Sequence, residues 1–229
     1  MNLQGYQKLT LLDFPGKVAC TVFTGGCNFK CPFCHNASLV LSPNEFKSAQ
    51  EDIFIYLSSR KGIIDGVCIT GGEPLLQPDI EDFIVKVKEL GLLVKLDTNG
   101  SFPSKLKTLL DKGLLDYVAM DIKASKENYS KLCGADINIK DIEKSVEILK
   151  ESNIPYEFLT TAVKELHTKE DFYNIGLWLK GTERYFIQGF VDSGNLIKEG
   201  LSTFSAAEMK ELLKEVQQNI PEAQLRGLD

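Results

Sequence analysis

The chain has 229 residues, 43% hydrophobic and 25% charged, which is ordinary for a globular protein and enough to bury the core of one domain. A formal net charge of −6 gives no support for a nucleic-acid binder, which usually carries a basic face. No apolar run approaches the roughly 18 residues that cross a bilayer, and the opening MNLQGYQKLTLLDFPGK lacks an apolar signal core, so the expected address is the cytoplasm, with no membrane partner.

In chain order, Thr10-Leu-Leu-Asp13-Phe-Pro15-Gly16 reads first, as a Pro-Gly turn. A strand is expected over 18–24, followed by the cysteine-rich stretch CNFKCPFCHN. A helix is expected over 42–60, with Ser42 as N-cap and Pro43 at its first position. The next strand, 66–70, runs into Gly71-Gly72-Glu73-Pro74. The helix expected over 77–91 puts Ile80, Phe83, Ile84 and Val87 on one face and stops at Gly91. Strand 92–98 ends in Asp97-Thr98-Asn99-Gly100, and the helix 102–113 ends at Gly113. Strands 116–122, 156–163 and 184–191 then alternate with helices 139–152, 168–180 and 205–218. The first, third and fifth strands carry few polar residues, as strands covered on both faces do.

Six strand–helix units imply a parallel sheet with right-handed crossovers. A full eight-unit barrel takes about 250 residues. The expected fold is therefore an α/β, partial (β/α)6 TIM-like barrel, an open parallel sheet with outer helices, and a doubly wound sheet is the alternative. One domain over 1–229 is expected, with its core at about 17–191 and a C-terminal helix and tail over 205–229. Either fold places its site at the C-terminal strand ends. The unusual segments all fall there: the cysteine loop, Gly71 to Pro74, Asp97 to Gly100, Met120-Asp121-Ile122-Lys123 and Gln188-Gly189-Phe190.

Cys27, Cys31 and Cys34 have the spacing C-x-x-x-C-x-x-C. Cys31 to His35 also spells a c-type haem signature, but haem attachment belongs to exported proteins. Zinc would need a fourth ligand, and no second cysteine pair exists; His35 adjoins Cys34, and adjacent side chains rarely converge on one ion. A redox dithiol of Cys31 and Cys34 would leave Cys27 unexplained. Three thiolates on a four-iron cluster would leave one iron open for chemistry. Glu73 is placed to receive an ammonium group, beside glycines that free the backbone for close approach to a ligand. Cys20 and Cys68 read as core, while Cys133 falls in an irregular stretch. His167 reads either as a proton donor or ligand contact, or as a cap for the helix that follows it.

Cys27, Cys31, Phe33 and Cys34, with Gly71-Gly72-Glu73-Pro74 after the next strand, resemble the radical S-adenosylmethionine (SAM) enzymes. The resemblance implies a [4Fe–4S] cluster on the three cysteines. Its fourth iron would bind the amine and carboxylate of SAM, and one electron would cleave the sulfonium to release a 5′-deoxyadenosyl radical. Phe33 would lie near the adenine, and Gly71 to Pro74 would bind the methionine amine. Asp97, Thr98, Asn99, Asp121 and Lys123, with the D-x-P-G at Asp13, are similar to glycyl-radical enzyme activases. There Asp97, Thr98 and Asp121 would hold a monovalent cation, Na+ or K+, Asn99 would approach the ribose, and Lys123 the ligand carboxylate. Together with ELHTKED, these motifs look most similar to the activating protein of anaerobic ribonucleoside-triphosphate reductase, across roughly residues 4–190.

The implied activity is abstraction of a hydrogen atom from a glycine of that reductase, with flavodoxin or ferredoxin as electron donor. Two positions depart from the pattern: Leu159, where the family often has Arg, and Gly25, where it often has Gln. No extra cysteine set exists, so one cluster is expected. The alternatives are a small-molecule radical enzyme of the 7-carboxy-7-deazaguanine synthase type, an activase of another glycyl-radical enzyme, or a non-enzymatic cluster or zinc scaffold.

Overall fold

The computed structural model describes residues 1–43 and 49–227. Its strands are β1 (Leu3–Thr10), β2 (Ala19–Thr24), β3 (Gly66–Gly71), β4 (Leu93–Thr98), β5 (Tyr117–Asp121), β6 (Tyr156–Ala162), β7 (Tyr185–Gly189) and β8 (Gln224–Arg226). They form one sheet, and their order across it is their order along the chain. β1 is antiparallel to β2, and every later neighbour pair is parallel. A doubly wound sheet would reverse its strand order at a switch point. This one never reverses, so it curls in one sense like a barrel. It ends at β1 on one edge and β8 on the other, which leaves the barrel open.

The helices are α1 (Ala37–Leu41), α2 (Gln50–Ser59), α3 (Ile80–Glu89), α4 (Pro103–Asp111), α5 (Tyr129–Cys133), α6 (Ile139–Lys150), α7 (Lys169–Trp178) and α8 (Ala206–Gln217). α3 shows why they form where they do. Ile80, Phe83, Ile84 and Val87 recur at helical spacing and are buried. Glu81 and Asp82 sit in its first turn and Lys86 and Lys88 in its last, complementing the helix dipole. Gly91 then takes a φ of 78°, which ends the helix. α7 and α8 open with capping boxes, Thr168 with Asp171 and Ser205 with Glu208.

The six expected strands are all present. β1 and β8 extend the sheet beyond them. Ser42 does not cap the helix expected over 42–60: it closes the short helix α1, and α2 starts at Gln50 after Ala49. The part of that expected helix over 44–48 lies outside the described residues.

The strands divide their side chains between two environments. Val67, Ile69, Val94, Leu96, Val118, Met120, Phe158 and Ile187 pack outward against Ile53, Phe83, Leu106, Ile142, Phe172 and Met209 of the helices. Their alternates point into the barrel. These include Lys95, Asp97, Tyr117 and Glu157, and they bond to one another. The Tyr117 hydroxyl donates to Glu157 Oε2 at 2.9 Å, and Arg226 of β8 reaches Glu157 with two bonds of 2.8 and 2.9 Å. Burial on both faces was expected, but the inner face is a paired polar wall rather than an apolar one.

Candidate active site

The cysteine loop leaves β2 at Gly25. Phe29, only 2% exposed, anchors it in the core. The Cys27 sulfur accepts the Phe29 backbone N–H at 3.3 Å and faces Asn99 Nδ2 at 3.8 Å. Cys34 N–H donates to the Cys31 carbonyl at 3.0 Å, closing a tight turn between the two cysteines. α5 braces the loop from behind, where Lys30 N–H donates to the Cys133 carbonyl at 2.8 Å and the Cys133 thiol bonds the Cys31 sulfur. Cys133 is thus fully buried behind the loop.

Cys27, Cys31 and Cys34 all line one cavity, together with Phe33, His35 and Asn36. Among the described residues, no three His, Cys, Asp or Glu side chains are gathered as ligands of a single metal ion. This geometry disfavours zinc, whose ligands crowd within about 2.3 Å of one centre. A four-iron cluster gives each thiolate its own iron, so three thiols spread around one cavity suit it. Burial pushes the Cys27 thiol up to about 12 and also raises Cys34, so both hold their protons until a metal displaces them. Cys31 is held below its usual range, first by the bond from Cys133. The donor set therefore fits a [4Fe–4S] cluster on Cys27, Cys31 and Cys34.

The glycine pair docks onto this loop. Gly71 has a φ of 111°, and a Cβ there would lie 2.5 Å from the Thr24 nitrogen. A Cβ on Gly72 would lie 1.9 Å from the Gly26 carbonyl oxygen. Gly72 N–H donates to Thr24 O at 2.8 Å and Glu73 N–H to Gly26 O at 2.9 Å. Gly71 and Gly72 line the cavity, whereas Glu73 does not: it is wholly buried behind them. Its carboxylate accepts from Leu75 N at 3.0 Å, Thr98 Oγ1 at 2.8 Å and Asn99 N at 2.7 Å. Three of the roughly four acceptor positions of this carboxylate are thus used within the protein, by Leu75 of the following 3-10 turn and by Thr98 and Asn99. Burial lifts Glu73 to about 7 despite these three donors. Pro74, also buried, opens the 3-10 turn that follows.

Asp97, Thr98, Asn99, Asp121 and Lys123 all reach the cavity wall. Asn99 Nδ2 donates to Asn28 Oδ1 at 3.0 Å, tying this turn to the cysteine loop. Lys123 pairs with Asp121 at 2.9 Å, and its ammonium stands 6.0 Å from the centre of the Phe33 ring. The cation set of Asp97, Thr98 and Asp121 is not assembled. Asp97 is paired with Lys95, Asp121 with Lys123, and the Thr98 hydroxyl is committed to Glu73.

His167 is neither a cap nor a cavity group. Its Nδ1 accepts the Val163 N–H at 3.1 Å, which leaves Nε2–H to donate to the Lys123 carbonyl at 2.9 Å. Its edge rests on Phe33, so it buttresses both residues. Thr168 is the cap instead. His35 lines the cavity with its ring 5.6 Å from Phe190, and burial, then Lys123, lowers its pKa. Cys20 is core against the helices, but Cys68 is on the inner wall and donates to Asp97 Oδ2 at 3.6 Å. Asp13 accepts from Thr21 Oγ1 at 2.5 Å on the same wall. The Gln4 side chain fills the space a side chain at Gly25 would take, and Leu159 lines the cavity. Lys95 went unnoticed in the sequence, as did Thr70, Asn36 and Thr161 of the cavity wall. A lysine two positions before Asp97 in an apolar strand was the available signal for the first.

The Radical SAM superfamily profile matches residues 21–178. A Methanocaldococcus jannaschii protein provisionally named a glycyl-radical enzyme activating enzyme is 34% identical over 194 residues, 82% of this chain and 79% of the relative. The GTP 3',8-cyclase of Aquifex aeolicus is 26% identical over 224 residues, 90% of this chain and 67% of that protein. Streptococcus suis SuiB bound to precursor peptide SuiA shares the fold with a TM-score of 0.69 at 17% identity, over 90% of this chain. This chain spans only 48% of SuiB. A domain of pyruvate-formate lyase-activating enzyme from Bacteroides vulgatus gives a TM-score of 0.55 at 16% identity, over 71% of this chain and 99% of that domain. At these identities the two structures speak to the fold alone. Among the described residues, no helix is long and apolar enough to cross a membrane.

Proposed function

The chain belongs to the radical SAM superfamily, and from that premise we propose that it is a glycyl-radical enzyme activase. Its substrate would be a glycine in a polypeptide loop of a partner, with anaerobic ribonucleoside-triphosphate reductase as the first candidate. Flavodoxin or ferredoxin would deliver the electron. The observation that carries this reading is the open barrel. The cavity ringed by Cys27, Cys31 and Cys34 lies at the mouth of a sheet whose edges, β1 and β8, do not pair. A loop of protein chain can enter such a mouth, whereas a small substrate is usually held in an enclosed pocket. The 34% identity to the M. jannaschii relative supports the same branch.

Bound on the three cysteines, the cluster would supply the electron that cleaves SAM to the hydrogen-abstracting deoxyadenosyl radical. The chain's own residues would place the ligand. The Lys123 ammonium, held by Asp121 and half enclosed by Phe33, would receive the methionine carboxylate. Gly71 and Gly72 would offer backbone groups to the amine, and Phe33 an apolar wall to the adenine. Asp97 and Asn99 would face the ribose. Glu73 would hold the turn that carries Asn99 without touching the ligand.

The reading is tested by anaerobic reconstitution with iron and sulfide, followed by reductant and SAM. The expected product is 5′-deoxyadenosine, and a glycyl-radical paramagnetic signal should appear when the partner reductase is added. An intact cluster protein that makes no 5′-deoxyadenosine would sink the radical chemistry. Product without a glycyl radical on any candidate reductase would favour the second reading, a small-molecule radical enzyme. The similarity to the Aquifex aeolicus cyclase over 90% of this chain keeps that reading in view.

A further inference from the structure

Family resemblance implied a monovalent cation between Asp97, Thr98 and Asp121, and the residues present do not fit one. Each of the three is already committed. Lys95 and Asp97 stand two apart on β4 and so share its inner face. Their side chains form an ion pair in which Lys95 is only 4% exposed. The Lys95 ammonium also donates to the Cys68 sulfur at 3.8 Å and lies 5.9 Å from the centre of the Tyr117 ring. It is fixed on three sides, beneath a carboxylate that lines the cavity. Lys123 neutralises Asp121 in the same way at 2.9 Å. The Thr98 hydroxyl donates to Glu73 and accepts from Gly100 N–H at 3.1 Å.

The two carboxylates on the cavity wall, Asp97 and Asp121, are therefore each paired with an ammonium group without an added ion: Lys95 from beneath the wall and Lys123 on it. An alkali ion on Asp97 would lie against the Lys95 ammonium, repelled by it and competing for the carboxylate it is paired with. A buried charge whose partner is taken away is costly, so the lysine should win.

We propose that Lys95 and Lys123 take the place of the monovalent cation in this chain, so that SAM binds without Na+ or K+. The proposal rests on the cavity being a SAM site, and the test separates the two claims. SAM affinity is measured by calorimetry on the anaerobically reconstituted protein in choline, sodium and potassium chloride at equal ionic strength. The expected result is a Kd equal within about twofold in all three salts. Weakening by about tenfold or more in choline, restored by Na+ or K+, would overturn the proposal while leaving the SAM site intact. Absence of binding in every salt would overturn the SAM-site reading and the proposal with it. In Lys95→Met, which vacates the position, affinity in choline should fall by about tenfold and recover in sodium or potassium chloride. A Lys95→Met protein that binds SAM in choline as the unaltered chain does would also overturn the proposal.

Discussion

The two faces of the same strands show how one backbone serves two ends. On β4, Val94 and Leu96 look outward and are wholly buried among helix side chains, while Lys95 and Asp97 look inward and bond to each other. On β6, Phe158 faces the helices and Glu157 faces Arg226 of β8 across the intervening β7. The outer face holds the fold together by area, since each fully buried large apolar side chain contributes roughly 1.5–3 kcal/mol. The inner face adds little by area, and its groups are fixed by specific partners. Damage to the outer face should therefore cost stability and spare chemistry, and damage to the rim of the inner face should do the reverse.

The strongest test of that division is at the cysteines. Replacing Cys27, Cys31 or Cys34 by Ala should remove the cluster absorbance and reduce 5′-deoxyadenosine to background, with little loss in the urea midpoint of the apo-protein. If cluster and product survived in any of the three, the inner rim would not be the reactive face. Next comes Phe158→Ala on the outer face. It should lower the unfolding free energy by roughly 3–5 kcal/mol in urea titration, while protein that remains folded keeps its cluster.

Glu73 sharpens the comparison, because it is a buried inner-rim acid. Its folded pKa of about 7 lies above the ordinary glutamate value of 4.5. The folded state thus holds this proton more tightly than the unfolded state does. Its contribution to stability is complete below pH 4.5 and is lost as pH rises through 7, an effect on the order of 3 kcal/mol. Glu73→Gln should flatten that part of the pH profile of urea stability, and an unchanged slope would show that Glu73 does not titrate there. The smallest effect is expected at Cys68, an inner-wall thiol below the rim. Cys68→Ala should leave 5′-deoxyadenosine production within about twofold of the unaltered chain and shift stability by about 1 kcal/mol.

Much of this division was legible before the structure. The alternation of strand and helix patterns located all six central strands, and motifs at their C-terminal ends pointed to one rim. What escaped were features decided by distant partners. β1 carries the polar pattern LQGYQKLT, half exposed, and becomes a strand only because β2 offers an edge. β8 has three residues, too few for a periodic signal. Ser42 and Pro43 looked like a helix start because local capping chemistry is the same wherever it occurs, yet the chain makes a separate short turn of helix first. Lys95 looked like an isolated charge in a strand because Cys68 and Tyr117, its register neighbours on β3 and β5, come beside it only when the strands pair. The internal partners of Glu73 escaped for a similar reason. Its motif was recognisable, but the three donors that occupy its carboxylate come from the next strand end and the following turn.

The contact between Gly72 and Gly26 has a thermodynamic consequence. With no room for even one methyl group between them, the glycine-pair loop and the cysteine loop are joined by two backbone hydrogen bonds before any ligand arrives. Ordering a flexible residue on binding would cost about 1–2 kcal/mol of lost conformational entropy, and here that cost falls on folding instead. The ligand meets a preorganised cradle and keeps the binding free energy that ordering would otherwise consume.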